Sequence, residues 1–389
     1  MLSLRRFFAI ITAALFGVNR AESRIYYYRE QTAIAEIGGS FMKTSYFLGA
    51  NTACGFVSLY GDFCRGERDY LHIIKGGPGT GKSGLMRAIG REAERRGLDV
   101  EYVQCSGDPK SLDGVYLPSL SLGWCDGTAP HAAEPGIFGA DSDYLNVGQF
   151  CRTPLSPVDC DRARALVAAY KAKYKRAYAL LAAAESAERA FLPQEAGAKE
   201  AGRAGALLCE LIARLPAGET PRLRRRFCGA VSCEGLVEDR SSFALCKLTY
   251  LCEDGCGLAA GALGEACETA LSLGHDVVLC LSPADGKTPD ALLLPDVSAG
   301  FVRAMPQASY EHVKRIPLDR LWGDMASVKE RRRAVRAAKR EGARYLRTAC
   351  ETLREAKALH DELEAVYRPY MDFPSLDALA AKEIARVFA

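Results

Sequence analysis

The chain has 389 residues, 49% of them hydrophobic, with a formal net charge of +3. That length and composition can bury a core large enough for two or three domains, which excludes a disordered or fibrous chain. The near-neutral balance gives no electrostatic case for nucleic acid as a partner.

In chain order, Arg5 and Arg6 precede the apolar stretch FFAIITAALFGV, which looks like a secretory signal and is too short to span a bilayer. No clear small-x-small cleavage site follows it, and Gly38-Gly39 stands just ahead of Met42, as a translated ribosome-binding sequence would encode. Translation is therefore expected to start at Met42, with residues 1–41 a mis-assigned or signal-like extension. The protein is then expected in the cytoplasm with no membrane association, an interfacial helix being the alternative.

The apolar run Tyr70 to Ile74 leads into GGPGTGKS, Gly76 to Ser83, and a helical pattern follows from near Gly84. This is the pattern G-x-x-x-x-G-K-[ST] in its strand–loop–helix setting. Nucleotide-binding residues are expected at Gly76, Gly77, Pro78, Gly79, Thr80, Gly81, Lys82, Ser83 and Gly84. The glycines let successive N–H groups point inward at phosphate oxygens, Lys82 reaches the β- and γ-phosphates, and the helix turns its positive end toward the anion. Ser83 supplies a hydroxyl to Mg²⁺, the expected cofactor.

Strand-like residues Ser119 to Cys125 lead into Asp126, which is expected to hold Mg²⁺ from a strand's C-terminal edge. Lys82 and Asp126 are the expected catalytic pair. Asp113 is the rival carboxylate. No glutamate follows Asp126, so the usual water-activating carboxylate of fast ATPases is missing from its place, and His131 is a candidate for polarising water. The asparagine-lysine-x-aspartate guanine motif is absent, which favours ATP over GTP.

Residues 97–123 align with 274–300 at a constant offset of 177, with ten of 27 positions identical, Asp99/Asp276, Asp108/Asp285, Lys110/Lys287, Asp113/Asp290 and Pro118/Pro295 among them. FLGANTACG (Phe47 to Gly55) likewise matches FCGAVSCEG (Phe227 to Gly235). The chain reads as a tandem duplication. In the second copy CEDGCGLAA, Cys252 to Ala260, stands where the glycine loop should be, with Leu258 for Lys82, Ala259 for Ser83 and Arg303 for Asp126. Glu253 and Asp254 would repel a triphosphate. The second half is expected not to bind nucleotide and to serve as a regulatory or protein-binding lobe.

Each copy ends in a long helical segment, Asp161 to Leu192 and Ser327 to Tyr367, in which RAYALLAAAES and ARYLRTACETL look like counterparts. Residues 194–226 read as a linker between a first domain, 42–193, and a degenerate second, 227–389. RLRRR (Arg222 to Arg226) is taken as solvated linker and KERRR (Lys329 to Arg333) as a solvated helix face. Seven of the 15 cysteines fall between Cys228 and Cys280 without a C-x-x-C pair, so buried free thiols are favoured over a zinc or iron–sulfur site. The fold class expected is α/β: duplicated three-layer domains, each a parallel sheet flanked by helices, with helical extensions.

FLGANTACGF, IIKGGPGTGKSGLM, CSGDPKSLDGVYLP, CDGTAPH and AKALHDELEAVY followed by MDF resemble an uncharacterised family of bacterial P-loop ATP-binding proteins. The resemblance covers the chain from about Met42 onward. It implies ATP binding and a two-halved P-loop architecture, and no particular substrate. In that family the second half often keeps a nucleotide loop, from which Leu258 and Ala259 depart. An ATPase, a small-molecule or nucleotide kinase, and an ATP-sensing scaffold all remain compatible with these residues.

Overall fold

A computed structural model describes residues 41–129, 134–191, 198–303, 312–322 and 324–388. His131 and all but the last of the first 41 residues lie outside them. The described chain is an α/β protein built on one 12-stranded mixed sheet flanked by helices.

The first half supplies β1 (Lys43–Phe47), β2 (Gly49–Thr52), β3 (Gly55–Ser58), β4 (Tyr70–Lys75), α1 (Lys82–Arg95), β5 (Val100–Gln104), β6 (Leu112–Leu117), β7 (Leu122–Asp126), β8 (Ser142–Asn146), and α2 (Pro157–Phe191). After α3 (Ala198–Ala213), the second half repeats the order: β9 (Arg222–Phe227), β10 (Gly229–Ser232), β11 (Gly235–Glu238), β12 (Leu248–Glu253) and α4 (Ala259–Ser272). Then come β13 (Asp276–Leu281), β14 (Pro289–Leu294), β15 (Ala299–Arg303), β16 (His312–Pro317), α5 (Met325–Tyr367) and α6 (Phe373–Phe388).

The sheet order is β16-β12-β15-β14-β13-β9-β1-β5-β6-β7-β4-β8. From the centre outward the two halves therefore place corresponding strands in the same sequence. Among the described strands of this sheet, the two halves join where the last residues of β1 and β9 pair antiparallel, Phe47 opposite Phe227. Left-handed backbone recurs in matching places as well: Gly55 and Gly235, Gly81 and Gly257, Gly97 and Gly274, and the non-glycine pair Ser121 and Ser298.

The expected all-parallel sheet is not what forms. β6 runs antiparallel to both β5 and β7, and β14 does the same between β13 and β15. The short connections explain this, since neighbouring parallel strands need a crossover of a dozen or more residues and these links are tight turns. In the β5–β6 turn the Asp108 carboxylate accepts from Lys110 N and Ser111 Oγ, and in the β13–β14 turn Asp285 accepts from Lys287 N and Thr288 N. Each aspartate closes its own turn.

On one face of the first half-sheet, Tyr70, Ile74, Val100, Val115 and Trp124 pack against Leu85, Met86, Ile89 and Ala93 of α1 and Leu376, Val387 and Phe388 of α6. On the other face Phe47, Leu71, Ile73, Val103 and Cys125 are covered by Leu59, Tyr60 and Phe63 from the segment after the β2–β3 hairpin. In the second half α3 covers α4, through Ala204, Leu208 and Ile212. The helix following each half's long helix thus packs on the other half's loop helix. The stretch expected as linker, 194–226, accordingly contains α3 and most of β9. RLRRR is a strand of the sheet rather than linker: Arg222, Leu223 and Arg225 are exposed as expected, whereas Arg226 is buried with its guanidinium 3.8 Å from the Tyr46 ring centroid and 3.4 Å from the Glu101 carboxylate. Pairing of the backbone outweighs charge repulsion because acidic partners stand alongside: Asp62 for Arg225, Asp276 for Arg224 and Glu101 for Arg226.

α2 and α5 lie antiparallel against each other. Ala177 and Leu181 meet Ala349, Cys350 and Leu353, which brings the two counterpart segments into contact, and Ala163 and Leu166 meet Leu363 and Val366. Among the described residues no helix is long and apolar enough to cross a membrane.

Candidate functional site

β4 ends at Lys75, the loop runs from Gly76 to Gly81, and α1 starts at Lys82, two residues earlier than the sequence pattern suggests. Gly79 has φ 68° and Gly81 φ 84°, values that side-chain-bearing residues adopt at a cost. Gly81 is the helix N-cap and makes no side-chain cap, so the first N–H groups of α1 are left for another acceptor. Thr80 is buried and its hydroxyl donates to Gly77 O at 2.8 Å, which holds the loop closed on itself.

Lys82 Nζ donates to the carbonyls of Gly76 and Gly77 at 3.0 and 2.8 Å, and stands 3.6 Å from Asp126 Oδ2. Asp126 reaches this point because β7 pairs in parallel with β4, Ile74 opposite Asp126. Its other oxygen accepts from Thr128 N and Oγ1 at 2.8 and 2.5 Å, fixing the carboxylate's orientation. Ser83 Oγ accepts from Leu112 N at 2.9 Å. Ser83 and Asp126 are hard oxygen donors on elements adjoining one loop, so their chemistry fits Mg²⁺ once phosphate and water oxygens complete a shell. Among the described residues no group of three or more His, Cys, Asp or Glu gathers to hold a metal without such help.

Asp113 lies elsewhere, buried on β6 and accepting from Tyr60 OH at 3.0 Å, and burial together with that carboxylate pushes the Tyr60 hydroxyl well up. In the second half its counterpart Asp290 accepts from Arg303 Nη1 at 2.7 Å. Burial pushes Asp290 up, against the pull of Arg303. The residue that replaces Asp126 thus pairs with the one that matches Asp113.

The second loop is closed from within. The Asp254 carboxylate accepts from Gly257 N, Leu258 N and Ala259 N at 2.6, 2.7 and 2.9 Å, occupying the helix N-terminus that a phosphate would need. Glu253 turns away to Arg315. All 15 cysteines are free thiols, and burial pushes Cys125, Cys246, Cys252 and Cys256 up to about 12, as suits small apolar side chains.

Several neighbours of the first loop have no local sequence signal. A Cβ on Gly76 would stand 2.7 Å from Val147 Cγ2, and one on Gly81 would stand 2.4 Å from Leu376 Cδ2. Beside Asp126, Lys75 Nζ donates to Gly127 O and to Glu134 Oε1, both at 2.9 Å. Glu134, eight positions after Asp126, is exposed and tied to Lys75 and Tyr144. The KERRR run is only partly solvated: Arg331 lies over the Trp322 ring at 5.0 Å and donates to Cys256 O, and Arg332 pairs with Asp319.

Compared with known proteins, no family model matches the chain, and neither a curated protein nor a solved structure matches it.

Proposed function

We propose that this is an ATP-binding protein with one nucleotide site, at Gly76 to Gly84 of the first half, and that it hydrolyses ATP to control the arrangement of its two halves. The observation carrying the reading is the conjunction of an uncapped helix N-terminus behind two left-handed glycines, Lys82 inside the loop, and Asp126 3.6 Å from Lys82 on the parallel neighbouring strand. Triphosphate oxygens would replace the Gly76 and Gly77 carbonyls as acceptors for Lys82. Ser83 and Asp126 would hold Mg²⁺, which supplies charge neutralisation at the phosphates when bound. A tandem duplication accounts for the matching strand orders and the paired left-handed residues, with the second loop sealed by Asp254. That half is then free to serve as a regulatory lobe or a protein-docking lobe in a cytoplasmic protein.

Titration calorimetry with a non-hydrolysable ATP analogue and Mg²⁺ tests this: one molecule is expected per chain, and none for Lys82→Ala. Two per chain would refute the single site. Phosphate release without any acceptor supports hydrolysis, ADP formation only with an added acceptor supports a kinase, and binding without either supports a sensing scaffold.

A further inference from the structure

α5 touches both loops. It is 43 residues long, and at the rise of an α-helix that is about 65 Å. Near its start, Arg331 Nε donates to Cys256 O at 3.1 Å in the second loop. Arg332 Nε donates at 2.8 Å to Asp319 Oδ2, which also accepts from Gly255 N at 3.0 Å. Near its end, the Glu364 backbone lies directly on the first loop: a Cβ built on Gly79 would be 3.1 Å from Glu364 O and 3.2 Å from both its Cα and Cβ. After a short 3-10 turn, Arg368–Tyr370, α6 begins, and Leu376 sits on Gly81.

We infer that the end of α5 and the start of α6 form a cover over the first glycine loop, latched at its far end to the second loop, which an entering triphosphate must lift. This rests on the nucleotide reading given above and assigns the second half its role in it. The cover suits an empty loop. The uncapped N-terminus of α1 and Lys82 make the loop electropositive, while the last turn of α5 is the negative end of a helix and carries Glu364, whose carboxylate is 3.6 Å from His360 Nδ1. A triphosphate at Gly79 would meet the Glu364 carbonyl and the negative end of α5 as like charge, with the side-chain charge of Glu364 carried on the same residue. Leu363 and Val366 are buried against Ala163 and Leu166 of α2, so lifting Glu364 off Gly79 must loosen that last part of the seam together with the turn between α5 and α6.

Hydrogen exchange on the full chain, with and without a non-hydrolysable ATP analogue, tests the cover. The analogue is expected to protect residues 76–84 and, at the same time, to speed exchange in 364–376 by about tenfold. Protection of 76–84 with 364–376 unchanged or slowed would overturn the cover and leave the nucleotide reading standing. Glu364→Gln, which removes the opposing charge and keeps the shape, is expected to tighten analogue binding about three- to tenfold. Weaker binding would show that Glu364 assists the ligand, and would also overturn the proposal. If the wild-type chain binds no nucleotide, the nucleotide reading fails, and the contact is judged without ligand: Leu376→Ala should speed exchange of residues 76–84 several-fold in a protein whose far-ultraviolet spectrum is unchanged. No change there would refute the cover itself.

Discussion

Two carboxylates that look equivalent in the sequence are separated by what each one touches. Asp126 projects beside Lys82 at the end of β7, whereas Asp113 is buried under the Tyr60 hydroxyl. Asp126→Asn is expected to leave the melting temperature close to that of the wild type and to weaken ATP binding without abolishing it. Mg²⁺-dependent turnover should be lost, because a neutral amide is a poor ligand for a hard cation. Asp113→Asn should instead cost about 1–3 kcal/mol of stability, since it disturbs a buried hydrogen-bond acceptor, with turnover per folded molecule kept. Turnover and thermal melting of both variants check this pair, and loss of turnover in a well-folded Asp113→Asn protein would reverse the roles. The loop itself was legible at this scale because each of its residue types answers a local demand. For Asp254 the sequence shows only a charge that should repel phosphate, and the fold adds that the same carboxylate consumes the N–H donors.

At the scale of elements, strand and helix positions follow from apolar patterning, but sheet direction and partner choice do not. β6 and β14 run antiparallel because their turns are short, which the Asp108 and Asp285 signals could have revealed. Arg222 to Arg226 read as solvated because five residues of mostly like charge oppose burial, and the carboxylates that neutralise them come from Asp62, Glu101 and Asp276, distant in sequence. The latch of α5 offers a test by pH. Burial raises Asp319, but hydrogen bonds from Cys256, Arg332 and Gly255 outweigh it and hold the carboxyl below its ordinary range. A group with a lowered folded pKa stabilises the protein above its unfolded value, about 3.9, and loses that contribution as the pH falls through the folded value. Asp319→Asn should therefore cost about 1–2 kcal/mol at pH 7, a modest figure because solvent screens a partly exposed Arg332. Melting curves of both proteins from pH 7 to pH 3 should show the gap narrowing below pH 4, and a gap that stays constant would contradict the latch.

Across the whole molecule, the two halves are tied less by their sheet, which joins at Phe47 and Phe227, than by exchanged helices. α6 closes the first half's core with Leu376, Val387 and Phe388, and Arg386 Nη2 donates to His72 Nε2 at 2.8 Å while His72 Nδ1 pairs with Asp143 Oδ1 at 2.6 Å. A residue near the end of the chain thereby fixes the strand that leads into the glycine loop. No reading of the sequence by halves could find this, because the dependence crosses the boundary at which the sequence appears to divide. It has a measurable consequence. Phe388 is buried, its ring lies 5.0 Å from the Arg96 guanidinium, and its carbonyl accepts from Arg96 Nη1 just beyond α1. Truncating a buried phenylalanine costs about 3–5 kcal/mol, and the cavity left by Phe388→Ala would lie under α1 of the first half. Hydrogen exchange in Phe388→Ala should accelerate in α1 and β4 while α4, covered by α3, keeps its protection. If α4 loosened as much as α1, the halves would be responding as one cooperative unit and the local dependence of α1 on α6 would be wrong. If neither loosened, the packing of α6 on the first half would not exist in solution.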